Sequence, residues 1–311
     1  MLVFICKRLA LLIPLLLFVS FIVFSLLYLS PVDPAFSYLT QSQIPPTQEA
    51  LQEARIELGL DKPFLEQYFT WLKNAIMLDF GNSYVTKRAV LDDILYYLPT
   101  TLNLTFLAMF FIVLVSIPVG ILAAYKKDSI WDKIIIFFSF SGVSFPSFWF
   151  GFLLIYIFSL KFNVLIPYQS IGFERYILPT ITLALMSLSI NIRLVRSSIL
   201  EHKNDKSLFY AKARGLSKQQ VQLHLLKNSL LPVVTSFGMH FGELLGGAVV
   251  VEILFALPGL GRYAVSAIYS HDYPVLQCFM LFMTTIFICV NLLVDIFCVF
   301  MNPKIRYEKQ I

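Results

Sequence analysis

Six runs of mostly apolar residues, each about twenty or more long, punctuate the chain at 9–29, 100–124, 134–158, 177–196, 232–254 and 276–300. A helix of about 20 apolar residues spans the hydrocarbon layer of a bilayer, and there every backbone N–H and C=O must be satisfied internally. The runs predict an all-α polytopic membrane protein with six transmembrane helices. Composition agrees: of 311 residues, 58% are hydrophobic and 14% charged, against roughly 25% charged in a soluble domain. Charge this sparse cannot cover a water-facing surface. It excludes a soluble enzyme, a disordered chain and a basic nucleic-acid-binding domain.

Lys7 and Arg8 precede the first run, as in a signal peptide. The run is longer than the roughly 7–15 residues of a signal core, and Ser30-Pro31-Val32-Asp33 offers no small-residue cleavage site, so a retained helix is expected. With the N-terminus placed inside, the inner segments carry 16 basic and five acidic residues, and the outer segments eight basic and eleven acidic. The excess of Lys and Arg on one side predicts an N-in, C-in topology. Residues 1–30 then hold the cytoplasmic N-terminus and first helix, 31–98 an external helical segment, and 99–311 the membrane core with a cytoplasmic loop at 197–231.

Cys6, Cys278, Cys289 and Cys298 lie in or beside apolar runs and form no C-x-x-C pair, which argues for inert packing thiols. The chain has no phosphate-binding P-loop, no H-E-x-x-H and no G-x-S-x-G motif. It is therefore expected to catalyse no covalent chemistry, and any ATP and Mg²⁺ that drive it would be bound by another chain.

In the external segment, Thr47 is placed to cap a helix running to Gly59, and Phe64, Leu65, Tyr68, Phe69, Leu72 and Ile76 recur near the helical period in a second helix from Pro63 to about Leu78. This segment is either a solvated cap or a docking surface for an external partner. In the loop 197–231, a short helix over Asp205–Arg214 meets Gly215, a left-handed cap. Ser217 and Gln220 then form a capping box for a second helix that leads to Pro232 and the fifth run. This helix–Gly–helix elbow suits a lever; the plainer alternative is a basic loop that only sets topology. In the third run Pro146, with Gly142 four residues before it, predicts a kink, and Pro118-Val119-Gly120 predicts another in the second.

The fifth run is the most polar. At about 100° per residue, Gly238, Gly242 and Gly246 drift slowly along one face, a line where another helix can press in. Met239, Glu243, Ser236 and His240 fall at about 100° to 200° from Gly238 and make one soft, polar stripe beside the glycines. A carboxylate at mid-membrane costs about 2.5–3.5 kcal/mol on insertion scales and must face a partner or a wet cavity. Two readings stand. His240 and Glu243 neutralise each other through an intrahelical hydrogen bond, or they contact a passing divalent metal or its chelate as transient ligands, since imidazole and carboxylate both suit such an ion. Glu252, near 320° and just before a Pro-Gly-x-Gly turn, is placed as a possible gate near the outer surface. Asn291 and Asp295 are read as a structural pair, and Asn191 as a packing residue.

Phe209-Tyr210-Ala211-Lys212-Ala213-Arg214-Gly215, followed by Leu231-Pro232, resembles the coupling loop of permease subunits of binding-protein-dependent ABC importers. The family's Ala and Gly fall on Ala211 and Gly215, while Phe209 replaces its leading acidic residue. Leu58-Gly59-Leu60-Asp61-Lys62-Pro63, Asp79-Phe80-Gly81-Asn82-Ser83-Tyr84, Leu98-Pro99-Thr100-Thr101-Leu102, Pro258-Gly259-Leu260-Gly261-Arg262, Asp272-Tyr273-Pro274-Val275 and Asn302-Pro303-Lys304-Ile305-Arg306 look like its dipeptide/oligopeptide/nickel branch. Gly238-Met239-His240-Phe241-Gly242-Glu243 and Gln277-Cys278-Phe279 are similar to nickel-type members, whereas His271 departs from the arginine usual before Asp-Tyr-Pro.

The resemblance implies the type I importer permease fold in a bacterial cytoplasmic (inner) membrane, and nickel, free or chelated, as cargo. It further implies a second permease as heterodimer partner, two ATP-binding subunits, and an external nickel-binding protein. The elbow residues Phe209, Tyr210, Ala211, Arg214 and Gly215 would meet an ATPase. Rival cargoes are a dipeptide or oligopeptide, or a metal–metallophore complex. Rivals of another class are a membrane hydrolase built on His240 and Glu243, which lacks an accompanying nucleophile, and a secondary transporter, for which no internal repeat is evident.

Overall fold

A computed structural model describes the backbone of residues 2–165 and 172–301, with side chains within 10–165 and 172–297. The side chains of Cys6 and Cys298, and the tail with Lys304, Arg306 and Lys309, lie outside the described residues. The fold is helical, and no strand occurs among the described residues; Asn82 and Ala89 form an isolated bridge. The helices are α1 (Leu2–Tyr28), α2 (Pro34–Gln41), α3 (Gln48–Glu57), α4 (Phe64–Ile76), α5 (Val90–Tyr125) and α6 (Ile130–Ser144). Then come α7 (Ser147–Leu154), continued by a π-helical stretch Ile155–Lys161, and α8 (Ile177–His202), preceded by a 3₁₀ turn Phe173–Tyr176. α9 (Lys206–Ala213), α10 (Lys218–Leu254), α11 (Leu260–Ser270) and α12 (Tyr273–Met301) follow.

Among the described residues five helices are long and apolar enough to cross a membrane, and the count reaches six if α6 and α7 with its π-helical end form one broken span. The expected kink in that third run is a break: the two halves meet at 106°. Pro146 has no N–H to continue the ladder and biases the residue before it to extended geometry, and Phe145 takes φ −86°, ψ 132°. The second expected kink is not a break, since α5 runs through Pro118 as one helix. There Gly120 instead admits close packing: a Cβ on it would lie 2.6 Å from the Val195 Cβ of α8.

The chain divides into two compact units, residues 1–101 with 258–288, and 102–257 with 289–311. In the first, α4 lies along α1 through an aromatic cluster of Phe21, Phe24, Tyr28, Phe64, Tyr68 and Trp71. The expected caps are present: the Thr47 hydroxyl accepts from the Ala50 N–H, and Gly59 takes φ +68°. α2 was not expected. Asp33 caps it by accepting from the Ala35 N–H, Pro34 starts it, and Arg55 of α3 reaches back to Asp33 at 2.6 Å. The quoted motifs interlock in this unit. Ser83 donates to the buried Asp272, Thr86 and Tyr263 donate to Asp93, the Thr101 hydroxyl accepts from the Leu260 N–H, and Tyr273 donates to Val32 O. His271 sits at the left-handed end of α11, φ 54°, ψ 42°.

In the second unit α8 is the hub, packed by α6, α7 and α10. Its core contains Leu104, Ala108, Ile112, Leu178, Leu183, Ala184, Leu244, Ala248 and Val251. Two polar clamps register these helices. Arg196 of α8 donates through Nε and Nη2 to both carboxylate oxygens of Asp132 in α6, each at 2.7 Å. Asn191 of α8 accepts from Ser236 of α10 at 2.8 Å and donates to Ser187 O. A charge-assisted, bidentate bond of this kind is among the strong ones and fixes orientation.

Candidate functional site

The elbow forms as its sequence dictates. Asp205 precedes α9, Gly215 takes φ +80°, and Ser217 with Gln220 makes both bonds of the capping box at the start of α10. α10 then continues without interruption through Pro232 to Leu254, so the second elbow helix and the fifth apolar run are one rod of 37 residues. Leu208 anchors α9 in a core with Ala124, Val195, Ile199, Leu225 and Val233. Its neighbours Phe209 and Tyr210 stand out at 71% and 62% exposure, Arg214 and Gly215 are exposed, and Ala211 is half-buried.

The polar stripe of α10 divides. Met239 is 63% exposed and the Glu243 side chain 57%, whereas His240 is 5% exposed and Ser236 is buried on Asn191. The four residues straddle the boundary between the packed and open sides of the helix. Across that boundary His240 Nδ1 lies 2.7 Å from Glu243 Oε2. This intrahelical bond, one of the two sequence readings, occupies the imidazole Nδ1 and one oxygen of the largely exposed Glu243 carboxylate. No cluster of three or more His, Cys, Asp or Glu suited to a metal occurs among the described residues.

The glycine line is only partly a groove. A Cβ on Gly238 would meet Val294 and Asn291 of α12 at 3.1–3.3 Å, and one on Gly247 would meet Leu183 at 3.1 Å. Gly242 is half-buried. Gly246 is exposed, with nothing within 4 Å of its Cβ position, because the drift of the line carries it off the packed side. Glu252 has no exposed surface; it lies fully buried near the end of α10, where its carbonyl accepts from the Leu257 N–H. The Asn191–Ser236 and Asp132–Arg196 clamps are not legible as pairs in the sequence, since each joins residues far apart in it.

Several helices long and apolar enough to cross a membrane, one of them continuous with a helix–Gly–helix elbow, are the architecture of a multi-pass membrane protein. Residues 116–307 match the family described as binding-protein-dependent transport system inner membrane component, and residues 1–105 match the N-terminal membrane component of such systems. The chain belongs to this family of ABC importer permeases, in its peptide/nickel branch. It is 36% identical over 304 residues to the metal-staphylopine import system permease protein CntB of Staphylococcus aureus (strain NCTC 8325 / PS 47), covering 97% of this chain and 98% of that one. It is 38% identical over 309 residues to the glutathione transport system permease protein GsiC of Escherichia coli (strain K12), covering 99% and 100%. It is accordingly a multi-pass protein of the bacterial cytoplasmic membrane.

Proposed function

We propose that this permease subunit moves a divalent transition metal, nickel foremost, as a complex with a small organic chelator. The observation that carries the reading is the state of α10: the imidazole Nδ1 is taken by Glu243, and Met239 and the Glu243 side chain are largely exposed. Those groups are too few to strip a bare ion of its waters, but enough to touch a complex whose metal is already ligated. Weak contact also suits a path, because cargo must leave as well as enter. The metal-staphylopine relative supports the same cargo class.

The elbow, with Phe209, Tyr210, Ala211, Arg214 and Gly215, docks on an ATP-binding subunit on the cytoplasmic side, a side supported by the excess of Lys and Arg in this loop. The nucleotide and Mg²⁺ belong to two such subunits and no cofactor to this chain. A second permease completes the path, and an external binding protein delivers the cargo. A second reading, a glutathione or oligopeptide cargo, is favoured by the GsiC relative. The test is ATP hydrolysis by the reconstituted complex. Binding protein loaded with a nickel chelate should stimulate turnover more than the same protein offered glutathione or a dipeptide; the reverse order would give the cargo to the peptide class.

A further inference from the structure

Helix α4 carries two apolar faces. At about 100° per residue, Phe64, Tyr68, Trp71 and Ala75 share one sector, and it packs inward on α1 and the neighbouring core. Leu65, Phe69, Leu72 and Ile76 occupy the adjoining sector. Leu65 is exposed, Phe69 is 62% and Ile76 74% exposed, and the exposed Met77 and Leu78 extend the patch. Glu66, Gln67, Thr70, Lys73 and Asn74 fill the rest. A surface helix in water has one apolar stripe, so the second needs an occupant.

The position of α4 on α1 identifies it. α1 is a candidate membrane span over Ala10–Tyr28, and α4 lies beside it, not beyond its end. The Tyr68 hydroxyl is 2.9 Å from Ser20 Oγ and 3.3 Å from Leu17 O. Ser20 is eight residues before Tyr28, or about 12 Å along the axis, against about 15 Å of hydrocarbon in one leaflet. The surface of α1 next to α4 is exposed and apolar at Phe18, Phe21 and Ile22, so the stripe continues the open apolar face of a candidate span. On the opposite side, Gln67, Thr70 and Asn74 line an open cleft of about 490 Å³ with Asn82, Ser83 and Lys87, so the polar sector does not face the apolar stripe.

We propose that α4 is a monotopic helix embedded in the leaflet at the Tyr28 end of α1, with Leu65, Phe69, Leu72 and Ile76 against acyl chains. The segment 31–98 is then in part a membrane element and not wholly a solvated cap. Apolar area buried in the interface supplies the binding, and the Tyr68–Ser20 pair keeps both hydroxyls satisfied at depth.

The test places single spin-labelled cysteines at Leu65, Phe69, Ile76 and, as the aqueous control, Thr70, in a full-length chain whose native cysteines are serine. The assembled importer is held in nanodiscs of phosphatidylethanolamine and phosphatidylglycerol. Collisions with oxygen should exceed those with a water-soluble paramagnetic chelate at 65, 69 and 76, and the order should reverse at 70. Aqueous collisions dominating at 69 and 76 would make α4 a solvated cap. Labels there shielded from both reagents would mean that protein covers the stripe; either result overturns the proposal. Measuring three stripe positions keeps the test decisive if one variant fails to assemble, and none of the outcomes depends on the cargo.

Discussion

The Ser83 hydroxyl donates a 2.6 Å hydrogen bond to the Asp272 carboxylate, closing a connection across 189 residues of sequence. The Val85 N–H reaches the same oxygen at 3.4 Å. Burial pushes the Asp272 carboxyl above its ordinary value of 3.8, and the Ser83 bond partly opposes this. A raised carboxyl pKa means that the folded unit binds the proton more tightly than the unfolded chain. Its contribution is complete below 3.8 and is lost as pH rises through the higher, folded value. Hydrogen exchange of amides 83–85, corrected for intrinsic rate, should therefore show protection falling with rising pH across that window. Asp272→Asn should flatten the dependence; an unchanged slope in that variant would assign it to another group.

The Asp132–Arg196 pair is a part-buried clamp, with side chains 2% and 19% exposed. Removing Arg196 strands the buried Asp132 charge, at a cost below the roughly 3–5 kcal/mol of a fully buried pair. Arg196→Leu should lower the thermal midpoint of the purified chain in detergent markedly. Asp132→Leu combined with Arg196→Leu should recover part of the loss. A double variant no better than the single would show that the clamp acts through something other than charge pairing.

Gly215 takes φ +80°, and a Cβ there would meet nothing within 4 Å. A replacement is thus penalised by the backbone and not by crowding, at about 1–2 kcal/mol for a left-handed L-residue. Gly215→Val should reshape the elbow while the membrane helices stay folded. The expected outcome is ATP hydrolysis by the assembled complex with reduced uptake per ATP. Full coupling in this variant would remove the elbow from energy transmission.

His240 is buried and tied to Glu243, while Met239 is open. His240→Ala frees the carboxylate and removes the ring, so chelate uptake should fall more than basal ATP turnover. Met239→Leu keeps the volume and removes the thioether; a loss of uptake there, at unchanged membrane abundance, assigns the sulfur to the path. Equal uptake in both variants would reduce this part of α10 to packing.

Local chemistry made much of this architecture readable. The Thr47 cap, the Ser217–Gln220 box, the Gly215 turn and the interruption at Pro146 each depend on a few neighbouring residues. Distant pairing was not readable: no local pattern announces that Asp272 meets Ser83, that Asn191 meets Ser236, or that Tyr68 reaches Ser20 inside a membrane span. The burial of the α10 stripe was not readable for a related reason. A helical wheel ranks positions by angle but does not say where α8 and α12 press, and that contact line separates His240 from Met239. α2 escaped notice because it is short; Asp33-Pro34 was its one signal.

Whether metal and carrier cross together can be measured directly. Proteoliposomes containing the assembled importer would be given binding protein charged with doubly labelled cargo, radioactive nickel in a ¹⁴C-labelled chelator, with ATP on the ATPase side. Accumulation of the two labels in the stoichiometry of the complex, absent without ATP, is the predicted result. Nickel entering without the carbon label, or neither label entering while a labelled dipeptide accumulates, would contradict the account.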